Sequence, residues 1–338
     1  MLWLRPDVVD DLNEAVASYW RAIDPMLPAP GDLPAGCGGS LVVPGTNGRP
    51  AGIGLCRHRH IADDILDQVW GTITRLDLTP RLRTSAALDE LLGQWRDHLA
   101  ALPEASGEDS AAMINWPSRD ISGVNALLKH GMQPLTVIAV RPARHTILAE
   151  DAMPPRSAGT SPGVLIREAR PDDLDAAAEL EMSVIRYDAH FGTAIIRPAT
   201  EALVRQDTRR VLTEWPGWVW VAERDGRLVG LVHVQPPPSS DWIASMSRPG
   251  TTAYLQTMFV GPDERGGGLG AALIKRAHDE LDARGISTTL LHYSQLNPLS
   301  APFWSRMGYR PLWTTWEVRP AAALRPAATL HHVGGGRF

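Results

Sequence analysis

A chain of 338 residues is long enough for two domains of ordinary size, and 44% apolar with 21% charged residues reads as a globular protein. A formal net charge of −5 gives no electrostatic case for nucleic acid. Two cysteines, Cys37 and Cys56, argue against a disulfide framework and a metal cluster; with no apolar run of bilayer length and a start that turns polar at once, the expectation is a cytoplasmic protein with no metal and no membrane partner.

Residues 7–20 set Val8, Val9, Leu12, Ala15, Val16 and Tyr19 on one helical face. A Pro/Gly-rich stretch follows, then strand-like runs at 40–43 and 52–56. Arg57-His58-Arg59-His60 reads as a strand end or solvated loop, because a metal site would need a third ligand near by. Residues 85–102 predict an amphipathic helix with Ser or Thr as its cap. Lys129-His130-Gly131-Met132-Gln133-Pro134, closing on Val140-Arg141-Pro142, parallels Arg306-Met307-Gly308-Tyr309-Arg310-Pro311, closing on Val318-Arg319-Pro320. Each reads as a helix end, a C-capping glycine and a strand. Gly131 and Gly308 lie about half the chain apart, which predicts a duplicated domain. The expected division is 1–148, a Pro-rich linker at 149–163, a second domain at 164–320 and a tail at 321–338.

The second half predicts a strand at 164–167, a helix from 170 to 187, and another at 198–214. A hairpin turns on Asp225-Gly226, between 218–223 and 228–234. A strand at 252–260 then runs into Gly261-Pro262-Asp263-Glu264-Arg265-Gly266-Gly267-Gly268-Leu269-Gly270, followed by a helix to about 283, a buried strand at 288–293, a helix at 298–307 and one strand over 309–320. Glycines without Cβ, opening a helix N-terminus, suit a phosphate. The loop has neither the Gly-Lys-Ser/Thr of a P-loop nor the spacing of GxGxxG.

Arg265 to Gly270 matches R/Q-x-x-G-x-G/A, and Asn297-Pro298-Leu299-Ser300-Ala301-Pro302-Phe303-Trp304 is similar to N-x-x-A/S-x-x-F-Y. With the β-α-α-β-β-β-α-β-α-β order, residues 164–320 resemble a GNAT acetyltransferase. The implied fold class is α/β (α+β): two tandem GNAT folds, each a mixed, mostly antiparallel sheet flanked by helices. The resemblance implies acetyl-CoA as acyl donor. Its pyrophosphate would meet the backbone of Arg265, Gly266, Gly267, Gly268, Leu269, Gly270 and Ala271. Its pantetheine would meet Met258, Phe259 and Val260, and its thiol end Asn297, Ser300, Phe303, Trp304 and Arg306.

Trp304 stands where many relatives have a proton-donating Tyr, and no carboxylate lies in 252–260 to act as base. His233 and His292 are the imidazoles in reach, with Tyr254 and Tyr293 as proton donors. In the first half no glycine occurs in 78–88, so that half reads as a degenerate repeat that does not bind CoA; Arg81 and Arg83 are its only phosphate-attracting residues there. The acceptor pocket would be closed by the first half, by 187–200, or by the loop holding Trp242. The implied activity is N-acyl transfer to a small-molecule amine by direct attack, in a monomer or homodimer. The alternatives are a non-catalytic acyl-CoA-binding or regulatory protein, and an acetyltransferase acting on protein N-termini or lysines.

Overall fold

The computed structural model describes residues 6–31, 39–46, 48–143 and 163–327. Cys37, all of the expected linker but Gly163, and the end of the tail lie outside the described residues. The first half runs α1 (Pro6–Ile23), β1 (Gly39–Val43), β2 (Gly52–His60), β3 (Thr74–Leu82), α2 (Leu88–Ala100), β4 (Ser110–Pro117), α3 (Ile121–Lys129) and β5 (Gln133–Pro142). The second runs β6 (Val164–Glu168), α4 (Leu174–Ala189), α5 (Thr200–Glu214), β7 (Val219–Arg224), β8 (Arg227–Gln235), α6 (Asp241–Ala244), β9 (Thr252–Val260), α7 (Leu269–Ala283), β10 (Thr288–Ser294), α8 (Ser300–Arg306) and β11 (Arg310–Val318).

Local chemistry sets these elements. Gly131 and Gly308 both take positive φ (80° and 89°) after α3 and α8, the left-handed stop that their flanking sequence predicts. Asp225 (φ 49°) and Gly226 (φ 75°) close the β7–β8 hairpin in the turn that Asp-Gly favours. The basic run Arg57 to His60 is the outer end of β2. At α2 no side chain caps the first turn; the N-cap is Ala87, and a single 3-10 turn over Ser85–Ala87 leads in.

All strands join one eleven-stranded sheet in the order β1-β2-β3-β4-β11-β5-β10-β9-β8-β7-β6. The two expected sheets are therefore continuous, and their last strands have changed places. β11 lies antiparallel between β4 and β5, while β5 lies antiparallel between β11 and β10. Core composition follows the exchange. Trp316 of β11 packs among Leu88, Leu92 and Trp95 of α2. Val137 and Ala139 of β5 pack among Leu269, Leu273 and Ala277 of α7. On the opposite face α1 inserts Leu12, Val16 and Trp20 against Ile138, Val140, Leu312 and Trp313. Each such side chain contributes roughly 1.5–3 kcal/mol when removed from water.

Both halves carry a parallel strand pair that opens part-way. β9 and β10 pair from Thr252↔Thr288 to Leu255↔Leu291 and then part. β3 and β4 pair from Thr74↔Ser110 to Leu78↔Ile114 and then part. In β9 the parting coincides with a bulge: Leu255 faces Val234 and Thr257 faces His233, so Gln256 has no opposite residue. From Gln256 onward the β10 side of β9 has no strand partner.

Candidate active site

A cleft of about 1520 Å³ runs along the α1/α4 face and joins the two openings. Its second-half wall begins at the glycine loop. Gly266 and Gly268 have φ of 82° and 86°, and Gly268 is the left-handed N-cap of α7. The α7 ladder starts with Ala272 N–H donating to Gly268 O at 3.0 Å, so the N–H groups of Leu269, Gly270 and Ala271 precede it. A Cβ added at Gly266 would meet nothing within 4 Å, whereas one at Gly270 would lie 3.0 Å from Met258 Cε and 3.3 Å from Phe303 Cε2. Backbone donors, helix dipole and open space combine there, and the residues fit a phosphate. The Arg265 guanidinium lies 5.6 Å from the Phe259 ring and 5.9 Å from that of Tyr187, with Nε donating to Val260 O at 3.0 Å. Glu264, the nearest acid in sequence, is held away by a two-point ion pair with Arg224 at 2.8 Å.

Of the residues expected around the cofactor, all but Gly267 line this cleft: Met258, Phe259, Val260, Arg265, Gly266, Gly268, Leu269, Gly270, Ala271, Asn297, Ser300, Phe303, Trp304 and Arg306. Trp304 is 7% exposed and packs edge-on against Phe303 and Tyr309, at 5.0 and 5.3 Å between rings. Among the described residues no group of three or more His, Cys, Asp or Glu could hold a metal ion.

The four expected proton-transfer residues do not stay together. His233 of β8 is fully buried, its Nδ1 3.5 Å from Glu181 and its ring 6.1 Å from Trp215, and it is not among the residues lining the cleft. It lies opposite Thr257 and Val219, on a part of the sheet that Glu181 of α4 and Trp215 after α5 cover. His292, Tyr254 and Tyr293 do line the cleft. The Tyr254 hydroxyl lies 3.0 Å from His292 Nδ1, and Trp242 stacks on the imidazole at an interplanar angle of 7°. Burial pulls His292 down to about 4 and pushes both tyrosines up.

A further acid stands at this place. Asp188, at the end of α4, lines the cleft, and Asn297 Nδ2 donates to its Oδ1 at 3.4 Å. Burial raises Asp188 to about 6, with the Asn297 bond opposing weakly. In the sequence Asp188 stands only among the residues 187–200 expected to close the pocket. Its signal was a lone acid at a helix end, with nothing to tie it to Asn297, 109 positions away.

Residues 189–309 match the sequence model of the acetyltransferase (GNAT) family. That segment belongs to the GNAT family. Over 97 residues, 29% of its length, the chain is 32% identical to L-2,4-diaminobutyric acid acetyltransferase of Nocardia farcinica; it spans about half, 46%, of the length of that curated relative. A GCN5-related N-acetyltransferase from Sphaerobacter thermophilus overlays with a TM-score of 0.52 at 15% identity, covering 86% of this chain and 83% of that one. The likeness of fold therefore extends from the GNAT segment into the first half.

In the first half the notch that corresponds to the one beside Asn297 and Ser300 is filled by its own side chains. Aligning Gly131 with Gly308 puts Asp120 at the place of Asn297 and Gly123 at that of Ser300. Asp120 accepts from the Trp116 indole at 3.1 Å and from the Tyr19 hydroxyl of α1 at 2.5 Å. The indole lies so close over α3 that a Cβ on Gly123 would sit 1.9 Å from Trp116 Nε1. Arg83, one of the two phosphate-attracting residues, is engaged by Asp11 of α1 and by Pro50 O at 3.0 Å.

Among the described residues no helix is long and apolar enough to cross a membrane.

Proposed function

We propose that the second half transfers an acyl group, acetyl in the simplest case, from CoA to a small-molecule amine. The observation that carries this reading is the meeting in one notch of anion-binding amides, an unpaired β9 edge and the half-buried carboxylate of Asp188 beside Asn297. Bound CoA would supply a thioester. The amine arrives protonated and must lose a proton before it can attack. Of Asp188 and His292, Asp188 is the stronger base. A conjugate acid near 6 against one near 4 for His292 favours proton uptake by about a hundredfold, or about 2.7 kcal/mol. Asn297 holds the carboxylate in place, Leu299 N–H holds Asn297 through Oδ1 at 3.0 Å, and backbone N–H groups along the β9 edge are available to charge developing on a carbonyl oxygen. Tyr254, His292 and Trp242 then form the neutral aromatic side of the acceptor pocket.

The first half walls the cleft opposite the notch, with Trp20, Thr79 and Asn115 among its lining. That supports a small acceptor over a protein N-terminus or lysine. Trp304, unable to donate a proton at neutral pH, favours the rival reading of a protein that binds acyl-CoA without turnover. Release of free thiol from acetyl-CoA with a panel of amines, 2,4-diaminobutyrate included, decides between them. Tight CoA binding with no thiol release on any amine would overturn the transferase reading.

A further inference from the structure

Four small polar side chains cross the floor of the cleft on adjacent strands. Ser294 faces Thr136, Thr136 faces Thr315, and Thr315 faces Asn115, so all four share one side of the sheet. All four line the cleft. Thr315 donates to Asn115 Oδ1 at 2.7 Å, while the Ser294 hydroxyl, on a residue only 2% exposed, has no partner. The row starts beside Asn297, whose N–H donates to Ser294 O, and it ends at the first-half opening.

At that far end stands Arg81, 7% exposed and part of the cleft wall. Its Nε is buried with no partner, Nη2 donates to Gly31 O at 3.2 Å, and the guanidinium lies 5.8 Å from the Trp20 ring. The other deeply buried arginines have acids: Arg75 meets Asp67 and Arg141 meets Asp282, each at 3.0 Å. Among the described residues Arg81 meets none, and its surroundings add charge of its own sign, because Arg57, Arg59 and Arg75 share the wall with only Asp67 and Asp77. A desolvated cation without a counter-ion is costly, and a fold keeps one where an anion arrives. At the second-half end the acids Asp188, Asp207 and Glu264 line the wall together with Arg265 and Arg306.

We propose that the first-half opening is an anion subsite built on Arg81, which holds the carboxylate, sulfate or phosphate end of the acceptor while its amine lies at Asp188. The assignment rests on the acyl-transfer reading and names the acceptor's class: an extended amine with a hydrogen-bonding middle and an anionic end. Four strand intervals separate β10 from β3, which at ~4.8 Å each span roughly 19 Å. The decayed half would then have exchanged donor binding for acceptor recognition.

The test uses the full chain loaded with CoA. Calorimetric titration with inorganic phosphate should show binding to the wild type and none to Arg81→Met, at equal CoA affinity. Arg81→Met should melt no lower than the wild type without phosphate, because it removes an unpaired buried charge. Should that variant not fold, Arg81→Lys keeps the charge without the planar fork, and its phosphate binding should weaken about tenfold. Amino-oligo(ethylene glycol) carboxylates should have lower KM than their terminal methyl ethers, with phosphate competing against the carboxylates only; competition absent would make the anion a separate ligand and overturn the acceptor assignment. Phosphate binding absent from the wild type, or unchanged in either variant, would overturn the subsite. Loss of CoA binding throughout would instead strike the acyl-transfer reading and leave the phosphate result intact.

Discussion

Replacing Asp188 with Asn separates chemistry from stability, because the two should move in opposite directions. As general base, Asp188 should be worth about 10²–10⁴ in kcat/KM, and Asn cannot take a proton. The stability effect follows from its environment. Burial raises the carboxyl from its ordinary value of 3.8 to about 6, so between those values the native state binds a proton that the unfolded chain has lost. Stability therefore falls as pH rises through that window and stays lowered above 6. Two pKa units correspond to about 2.7 kcal/mol, and because Asp188 is only half-buried the expected figure is about 1–2 kcal/mol. Asp188→Asn should thus be about 1–2 kcal/mol more stable than wild type at pH 8 and equal to it near pH 3, by urea unfolding at both pH values. An Asn variant that keeps activity within a few-fold, or that is less stable at pH 8, would refute the assignment.

Other outcomes follow from the same geometry. In the wild type, kcat/KM should rise with pH along a limb near 6, and a limb near 4 would transfer the role to His292. His292→Gln should lower kcat/KM by less than about tenfold, since neutral groups surround it and Asp188 remains. Gly268→Glu forces a side chain onto a left-handed N-cap (φ 86°) and sets a carboxylate among phosphate-binding amides; CoA affinity should drop at least about a hundredfold by titration while the far-ultraviolet spectrum is retained. Gly123→Ala drives a methyl into the Trp116 indole and should cost about 2–4 kcal/mol in thermal or urea unfolding, with CoA affinity of the folded fraction unchanged.

Much of the fold was legible because it is written locally. The glycine loop, the Asp-Gly hairpin and the paired Gly131 and Gly308 stops each depend on a few neighbouring residues whose backbone preferences are strong. The order of elements in the second half followed from periodicity. β3 and β4 were not recognised, since Thr74 to Leu82 includes Arg75, Asp77 and Pro80 and hides its alternation. The exchange of last strands is non-local: β5 and β11 have ordinary strand patterns that suit either neighbour. The same limit applied to the site. The residues expected around the cofactor sit in contiguous motifs, whereas the acid depends on α4 meeting the turn after β10, and the exclusion of His233 depends on Glu181 and Trp215, distant in sequence, closing over it.

The exchange of β5 and β11 gives the two halves a common fate. Neither can complete its sheet from its own sequence: β4 has β3 on one side but lacks its second neighbour until residues 310–318 exist, and β10 has β9 but lacks its second without β5. Arg310 at the start of β11 also reaches back to the buried Asp24 just after α1, so the latest strand fastens the earliest helix. During synthesis the first half waits with an open edge for a strand made about 200 residues later, which sets a slow, long-range closing step and an aggregation-sensitive interval. Cleavage between the halves would leave them clasped, and expression of either alone would present a bare β edge to any second copy, the starting geometry of a domain-swapped dimer.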